Sequence, residues 1–160
     1  ASYLVHQGQV DARKSVQIGL RGNTRSFGWL EPSRKLGYEV IEIDRYRQLG
    51  TQKCIDIIGE RLGDEPIYIT FDLDCLDPTV APAVSNLEAG VEGFRVDEVM
   101  RMLQSLRGRN VIGGDVVCLM PTKDQPNNIT AMVAAAVMFE MIALVIEGRT
   151  ARVGGHTRQG

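Results

Sequence analysis

Short apolar runs suited to buried strands alternate along this chain with segments whose apolar residues recur at helical spacing, and that cadence limits the folds open to it. Ser15-Val16-Gln17-Ile18-Gly19-Leu20 reads as a strand ending at the turn-prone Arg21-Gly22-Asn23, and Tyr38 to Ile43 reads as a second. Between them, Trp29 to Leu36 fits a short helix broken by Gly37. Thr51 to Leu62 sets Cys54, Ile55, Ile58 and Leu62 on one helical face, and Gly63-Asp64-Glu65-Pro66 stops it before the strand Ile67-Tyr68-Ile69-Thr70. After a long loop, 78–93, the spacing predicts a helix from Val96 to Leu106 closed by Gly108, then a fourth strand within Asn110 to Leu119. Asn127 or Asn128 can cap a last helix that continues to Ile146 and ends at Gly148. It is apolar nearly all round, which predicts cover on more than one side. The expected fold is α/β: a three-layer α/β/α arrangement with a mainly parallel sheet.

In such sheets sites lie beyond the carboxyl ends of the strands. Arg21, Asp44 and the loop Pro121-Thr122-Lys123-Asp124 fall there, and so does Phe71-Asp72-Leu73-Asp74-Cys75-Leu76-Asp77-Pro78. In extended chain, residues i and i+2 share a face, so Asp72 and Asp74 would aim their carboxylates the same way. Two like charges that close repel unless a cation lies between them, and carboxylate oxygens suit Mg²⁺, Mn²⁺ or, with imidazole added, other first-row metals. Asp77-Pro78 turns the chain out of the sheet. The plainer alternative is an Asx-type turn in which these aspartates satisfy backbone donors.

With 160 residues the chain fits one domain with a sizeable core. Its 18 basic and 20 acidic side chains nearly balance, which leaves no electrostatic footprint for nucleic acid or an anionic membrane. Cys54, Cys75 and Cys118 are odd in number, far apart and in apolar surroundings, as expected of reduced thiols in a cytoplasmic protein. Residues 1–30 carry no secretory pattern. The run from Ala131 to Ile146 is interrupted by Glu140 and is shorter than a usual span, so a buried helix is expected there rather than a membrane helix.

Ser15 to Arg21, Pro66 to Pro78, Gly114-Asp115-Val116-Val117, Asp124-Gln125 and Ile129-Thr130-Ala131 together resemble the C-terminal half of the ureohydrolases, the arginase and agmatinase family. The similarity runs over residues 1–147 in order and spacing. It implies an arginase-like fold present in part, with 1–150 as the C-terminal portion of a ureohydrolase-like domain and 151–160 as a disordered tail. It also implies hydrolysis of a linear amidine, agmatine or another guanidino compound, to urea and an amine at a binuclear Mn²⁺ centre, with Ni²⁺ as another metal to consider. Carried over, Asp72 bridges both metals, Asp74 binds one, and Asp77 supports them without ligating. Ureohydrolases are commonly trimers or hexamers, so the resemblance implies an oligomer.

The departures from the family are equally informative. Its remaining ligands belong to G-G-D-H and D-A-H-x-D motifs, and neither string occurs here. His6 and His156 stand in no such context and read as surface or terminal histidines. The chain alone is therefore expected to hold metal weakly and turn over poorly, and a complementary N-terminal half is the expected partner. Where agmatinases carry a guanidinium-contacting glutamate after D-V-V, this chain has Cys118, which reads as a buried strand cysteine and not a nucleophile. The loop 82–88 also departs from the Gly-Thr-Gly-Thr type of agmatinases. Two other functions are compatible with the residues. One is a noncatalytic assembly domain burying the 128–147 helix against another chain; the other is a phosphatase of the haloacid-dehalogenase type, although Leu76 and Pro78 do not fit its nucleophile loop.

Overall fold

Strands form where the apolar runs lie in a computed structural model of the chain, which describes residues 2–22 and 28–156, the last six by their backbone alone. Asn23 of the first expected turn, the side chain of His156 and residues 157–160 lie outside the described residues. A five-residue helix, α1 (Ser2–His6), leads to β1 (Val16–Leu20), α2 (Glu31–Leu36), β2 (Glu39–Glu42) and α3 (Ile43–Leu62). Next come β3 (Ile67–Asp72), α4 (Val96–Gln104), β4 (Val111–Val117) and α5 (Ile129–His156).

All strand pairing is parallel, as the cadence predicts, but it comes as two separate pairs, β1 with β2 and β3 with β4. Among the described residues no ladder joins β1 to β3. α3 packs on β1 and β2, α4 bridges α3 and α5, and α5 lies along β4. One core runs through both pairs, with Ile41, Tyr46, Leu73, Leu76, Phe94, Val137, Met141 and Leu144 almost wholly buried. Each large apolar side chain there contributes about 1.5–3 kcal/mol. The Phe94 ring meets Tyr46 edge-on, centroids 4.6 Å apart, and its other side fills the space beside Gly19. Gly19 has φ +83° at the register shift of β1, and a Cβ there would sit 2.0 Å from the Phe94 ring. The bulge thus requires glycine twice over, for its backbone and for its neighbour.

Three boundaries differ from the sequence expectation. The second strand stops at Glu42, and helix begins at Ile43 because Ile43 and Tyr46 both reach the core; Gly50, at φ +77°, then kinks it before the expected segment 51–62. Gly148 does not end the last helix, which continues to His156. A Cβ at Gly148 would lie 2.7 Å from the Arg109 carbonyl, so this glycine serves the close approach of α5 to the start of β4. At the other end, Asn127 Oδ1 accepts one bond from Ile129 N, while Asp124 accepts from both Thr130 N and Ala131 N. Asp124 therefore supplies most of the cap, with its negative charge at the positive end of the helix.

α5 is covered from two sides, by β4 and by α4, and a further face stays open. Its inner face packs on β4, where Met141 Sδ would be 2.9 Å from a Cβ at Gly114, and buried Glu140 is held by Gln104 and Arg107. Its outer face leaves Met132 at 63%, Phe139 at 74%, Ile142 at 51% and Ile146 at 58% exposure. Residues Ile129–Thr150 are long and apolar enough to cross a membrane by length and composition, yet the helix packs on β4 and carries the Glu140–Arg107 pair. The β3–β4 pair is one-sided. Ile67 and Phe71 are buried on the α5 side, while Tyr68, Thr70 and Asp72 are exposed on the other, where Asp115 accepts from Tyr68 Oη and Thr70 Oγ1.

Candidate metal centre

Asp72 is the last residue of β3 and the chain then turns at once, Leu73–Cys75 forming a single 3-10 turn. The expected route to convergence, two side chains on one strand face, is therefore not the one used. Asp72 Oδ1 accepts the Asp74 N–H at 2.9 Å, the Asx-type bond of the plainer alternative, and this cap bends the backbone so that both carboxylates gather on one side. Leu73 points the other way into the core with no exposure, and anchors the turn.

Asp74 is placed from its other side by the loop 85–86. Its Oδ2 accepts from Asn86 N at 3.0 Å and stands 3.5 Å from Ser85 Oγ. Its Oδ1 is buried yet accepts no hydrogen bond. Burial raises the Asp74 carboxyl above its ordinary range and the Asp72 charge raises it further, against the Asn86 and Ser85 donors. An acceptor left unpaired beside a second carboxylate is what a cation would satisfy, so these residues fit a divalent metal.

A third group joins them. The donor atoms of Asp72, Asp74 and Cys118 all lie within 4.8 Å of one another. Cys118 is half-buried and not the deeply buried strand cysteine expected: β4 ends at Val117, and Cys118 adopts φ +70°. Burial raises its thiol, Ser85 and Asp72 being its side-chain partners. The thiol of neighbouring Cys75 is pushed up to about 12 by burial and then by the Asp72 charge.

Arg21 spends its guanidinium on carbonyls. Nε donates to Asp74 O at 2.7 Å, Nη1 to Val91 O and Glu88 O, and Nη2 to Leu87 O. It thereby fixes the 86–91 loop against the turn that carries Asp74. Asp77 sits apart from the cluster: Oδ1 accepts from Thr79 N and Thr79 Oγ1, and Oδ2 from Gly93 N. The Thr79 donors hold its carboxyl below the ordinary range in spite of some burial. Asp44 is exposed in the first turn of α3, Asp124 caps α5, and His6 is exposed at the end of α1; none of them joins the cluster. Sequence reasoning missed Ser85 and Asn86, which act through a hydroxyl and a backbone N–H respectively, and it missed the direction of Cys118.

A cleft of about 280 Å³ opens beside these groups, lined by Ile18 and Leu20 of β1, Arg21 just after it, Asp72 at the end of β3, Asp74 in the following turn, and Trp29. The class defined by fold and site is an α/β protein with a carboxylate pair at the carboxyl end of a parallel strand. The arginase family model matches residues 1–143, and the chain belongs to that family. An agmatinase of Photorhabdus laumondii is 35% identical over 139 residues, which is 87% of this chain and 42% of that protein. Among solved structures, proclavaminate amidino hydrolase from Streptomyces clavuligerus superposes with a TM-score of 0.82 at 27% identity, over 92% of this chain and 47% of that one. A hypothetical agmatinase from Burkholderia thailandensis gives 0.78 at 32% identity, over 95% and 44%. The fold is the α/β arginase fold, and the phosphatase alternative is set aside. The chain spans less than half the length of the curated relatives it matches.

Proposed function

We propose that this chain forms one side of a binuclear centre that hydrolyses a linear amidine, a guanidino compound, to urea and an amine. The observation that carries this reading is the buried, unpartnered Asp74 Oδ1 beside Asp72, in a chain of the arginase family. Asp72 would bridge the two ions and Asp74 would hold one. Bound Mn²⁺, or Ni²⁺ in its place, would supply a water nucleophile at neutral pH and polarise the substrate. The chain's own contribution is placement. The Asx cap sets Asp72, Asn86 N–H sets Asp74, and Arg21 locks the surrounding loop, so the carboxylates need little reorganisation. Asp77 would support this turn from behind through Thr79 and Gly93. Cys118 brings no carboxylate to pair with a guanidinium, so substrate cations must be met by other groups.

The proposal includes a partner, a complementary N-terminal half or its equivalent in an oligomer. Support comes from strands β1 and β3, each laddered on one side only among the described residues and bordering the same cleft, and from the exposed face of Tyr68, Thr70 and Asp72. The three free cysteines fit the cytoplasmic setting expected from the sequence. A second, noncatalytic reading is favoured by one observation, the apolar outer face of α5 at Met132, Phe139, Ile142 and Ile146, which suits an assembly surface.

Urea release from agmatine and related guanidino compounds with Mn²⁺ separates the readings. Activity is expected only when the chain is mixed with a complementary half, and only with Asp72 intact. A mixture that assembles but releases no urea supports the assembly role and ends the catalytic one.

A further inference from the structure

We infer that Cys118 is a third donor to the metal held by Asp72 and Asp74, and that the mixed oxygen and sulfur site takes a zinc-class ion in preference to Mn²⁺. The inference rests on the metal reading of the carboxylate pair and adds to it a ligand and a metal class.

Geometry supports it first. The Cys118 sulfur lies within 4.8 Å of a donor oxygen on each aspartate, and donors on one tetrahedral zinc-class ion lie about 3.5 Å apart. Closing the cluster around an ion thus requires movement of about 1.3 Å or less, within reach of side-chain rotation. The unpaired Asp74 Oδ1 leaves a coordination position that nothing in the described chain fills.

The backbone supports it second. A cysteine at φ +70° is uncommon and costs about 1–2 kcal/mol. Here the conformation is fixed from both sides. Ser85 N donates to Cys118 O at 3.1 Å, Met120 N donates to Ala83 O at 2.9 Å, and Val84 bridges Leu119. Segment 83–85 therefore clasps 118–120 while residue 118 swings out of the β4 line, which brings its sulfur beside Asp72 and Ser85. A thiolate is a softer donor than a carboxylate and shifts preference from Mn²⁺ towards zinc-class ions. As the sulfur–metal bond forms, the S–H proton leaves to solvent, and no electrons change hands.

Co²⁺, a spectroscopic substitute for zinc, tests this directly on the 160-residue chain. Saturable binding with visible d–d bands and a near-ultraviolet thiolate-to-cobalt band is expected. Cys118→Ser should remove the near-ultraviolet band while keeping the visible ones, Cys75→Ser should keep both, and Asp72→Asn should weaken both. The preference for Zn²⁺ over Mn²⁺ in competition should fall about tenfold in Cys118→Ser. Visible bands without the thiolate band, or a thiolate band unchanged in Cys118→Ser, overturn the inference and leave the carboxylate centre standing. No saturable binding at all defeats the carboxylate centre and this inference with it. Should Cys118→Ser misfold, Zn²⁺ is expected to slow alkylation of Cys118 in the unmutated chain at least about tenfold, and equal labelling with and without Zn²⁺ contradicts the assignment.

Discussion

Asp74 and Asp77, three residues apart in one loop, make opposite contributions to the metal-free chain. Asp74 is partly buried and beside Asp72, so Asp74→Asn relieves the repulsion between the two carboxylates, while the new amide oxygen, in place of Oδ2, can still accept from Asn86 N. Thermal denaturation at neutral pH is expected to show this variant as stable as the parent or up to about 1 kcal/mol more so. Asp77→Ala loses Thr79 and Gly93 as partners and should cost about 1–3 kcal/mol. Because the folded-state value of Asp77 is lowered, its stabilisation is fully present above the ordinary carboxylate range. It is lost as pH falls through that lowered value, so the gap between parent and Asp77→Ala in denaturant titrations should narrow in acid. At this scale much was legible. The two converging aspartates could be named from Asp72-x-Asp74 after an apolar run, whereas Cys118 could not be aimed, since its direction follows from a left-handed backbone held by residues 83–85.

The elements obey local rules until distant packing intervenes. Strands β1, β3 and β4 and the short α2 follow from apolar runs and turn residues, but the reach of α5 past Gly148 does not. Glycine after a helical run normally marks a stop, and nothing local reveals that the Arg109 carbonyl will lie where its Cβ would be. Gly148→Ala should accordingly lower stability by about 1–3 kcal/mol although alanine is the better helix former. A stabilised Gly148→Ala in urea denaturation would show the contact to be unimportant. At the other end of the helix, Asp124→Ala should cost about 0.5–2 kcal/mol, and Asp124→Asn, whose single amide oxygen can keep one of the two bonds from Thr130 N and Ala131 N, should recover part of it. Cap and dipole terms can then be separated by the salt dependence of the difference.

Considered whole, the molecule is finished on the inside and open at its borders. Its core is continuous across both strand pairs, yet the pairs do not ladder with each other, one face of β3–β4 is exposed, and the outer face of α5 is apolar. A parallel sheet normally has both faces covered. The sequence pattern could announce the α/β class, because cadence is local. It could not show which faces remain open, because burial depends on what else is present. If the α5 face is an assembly surface, Phe139→Glu should reduce self-association or binding of a complementary half in sedimentation while leaving the chain folded. Unchanged association would place the assembly surface elsewhere.

Equilibrium titration with Mn²⁺, followed by electron paramagnetic resonance, reaches the central claim that Asp72 and Asp74 form one side of a shared centre. The 160-residue chain is expected to bind Mn²⁺ weakly, to lose that binding in Asp72→Asn, and to bind two ions per site, far more tightly, once a complementary half is added. Tight binding of two ions by the chain alone, or binding indifferent to Asp72→Asn, would contradict it.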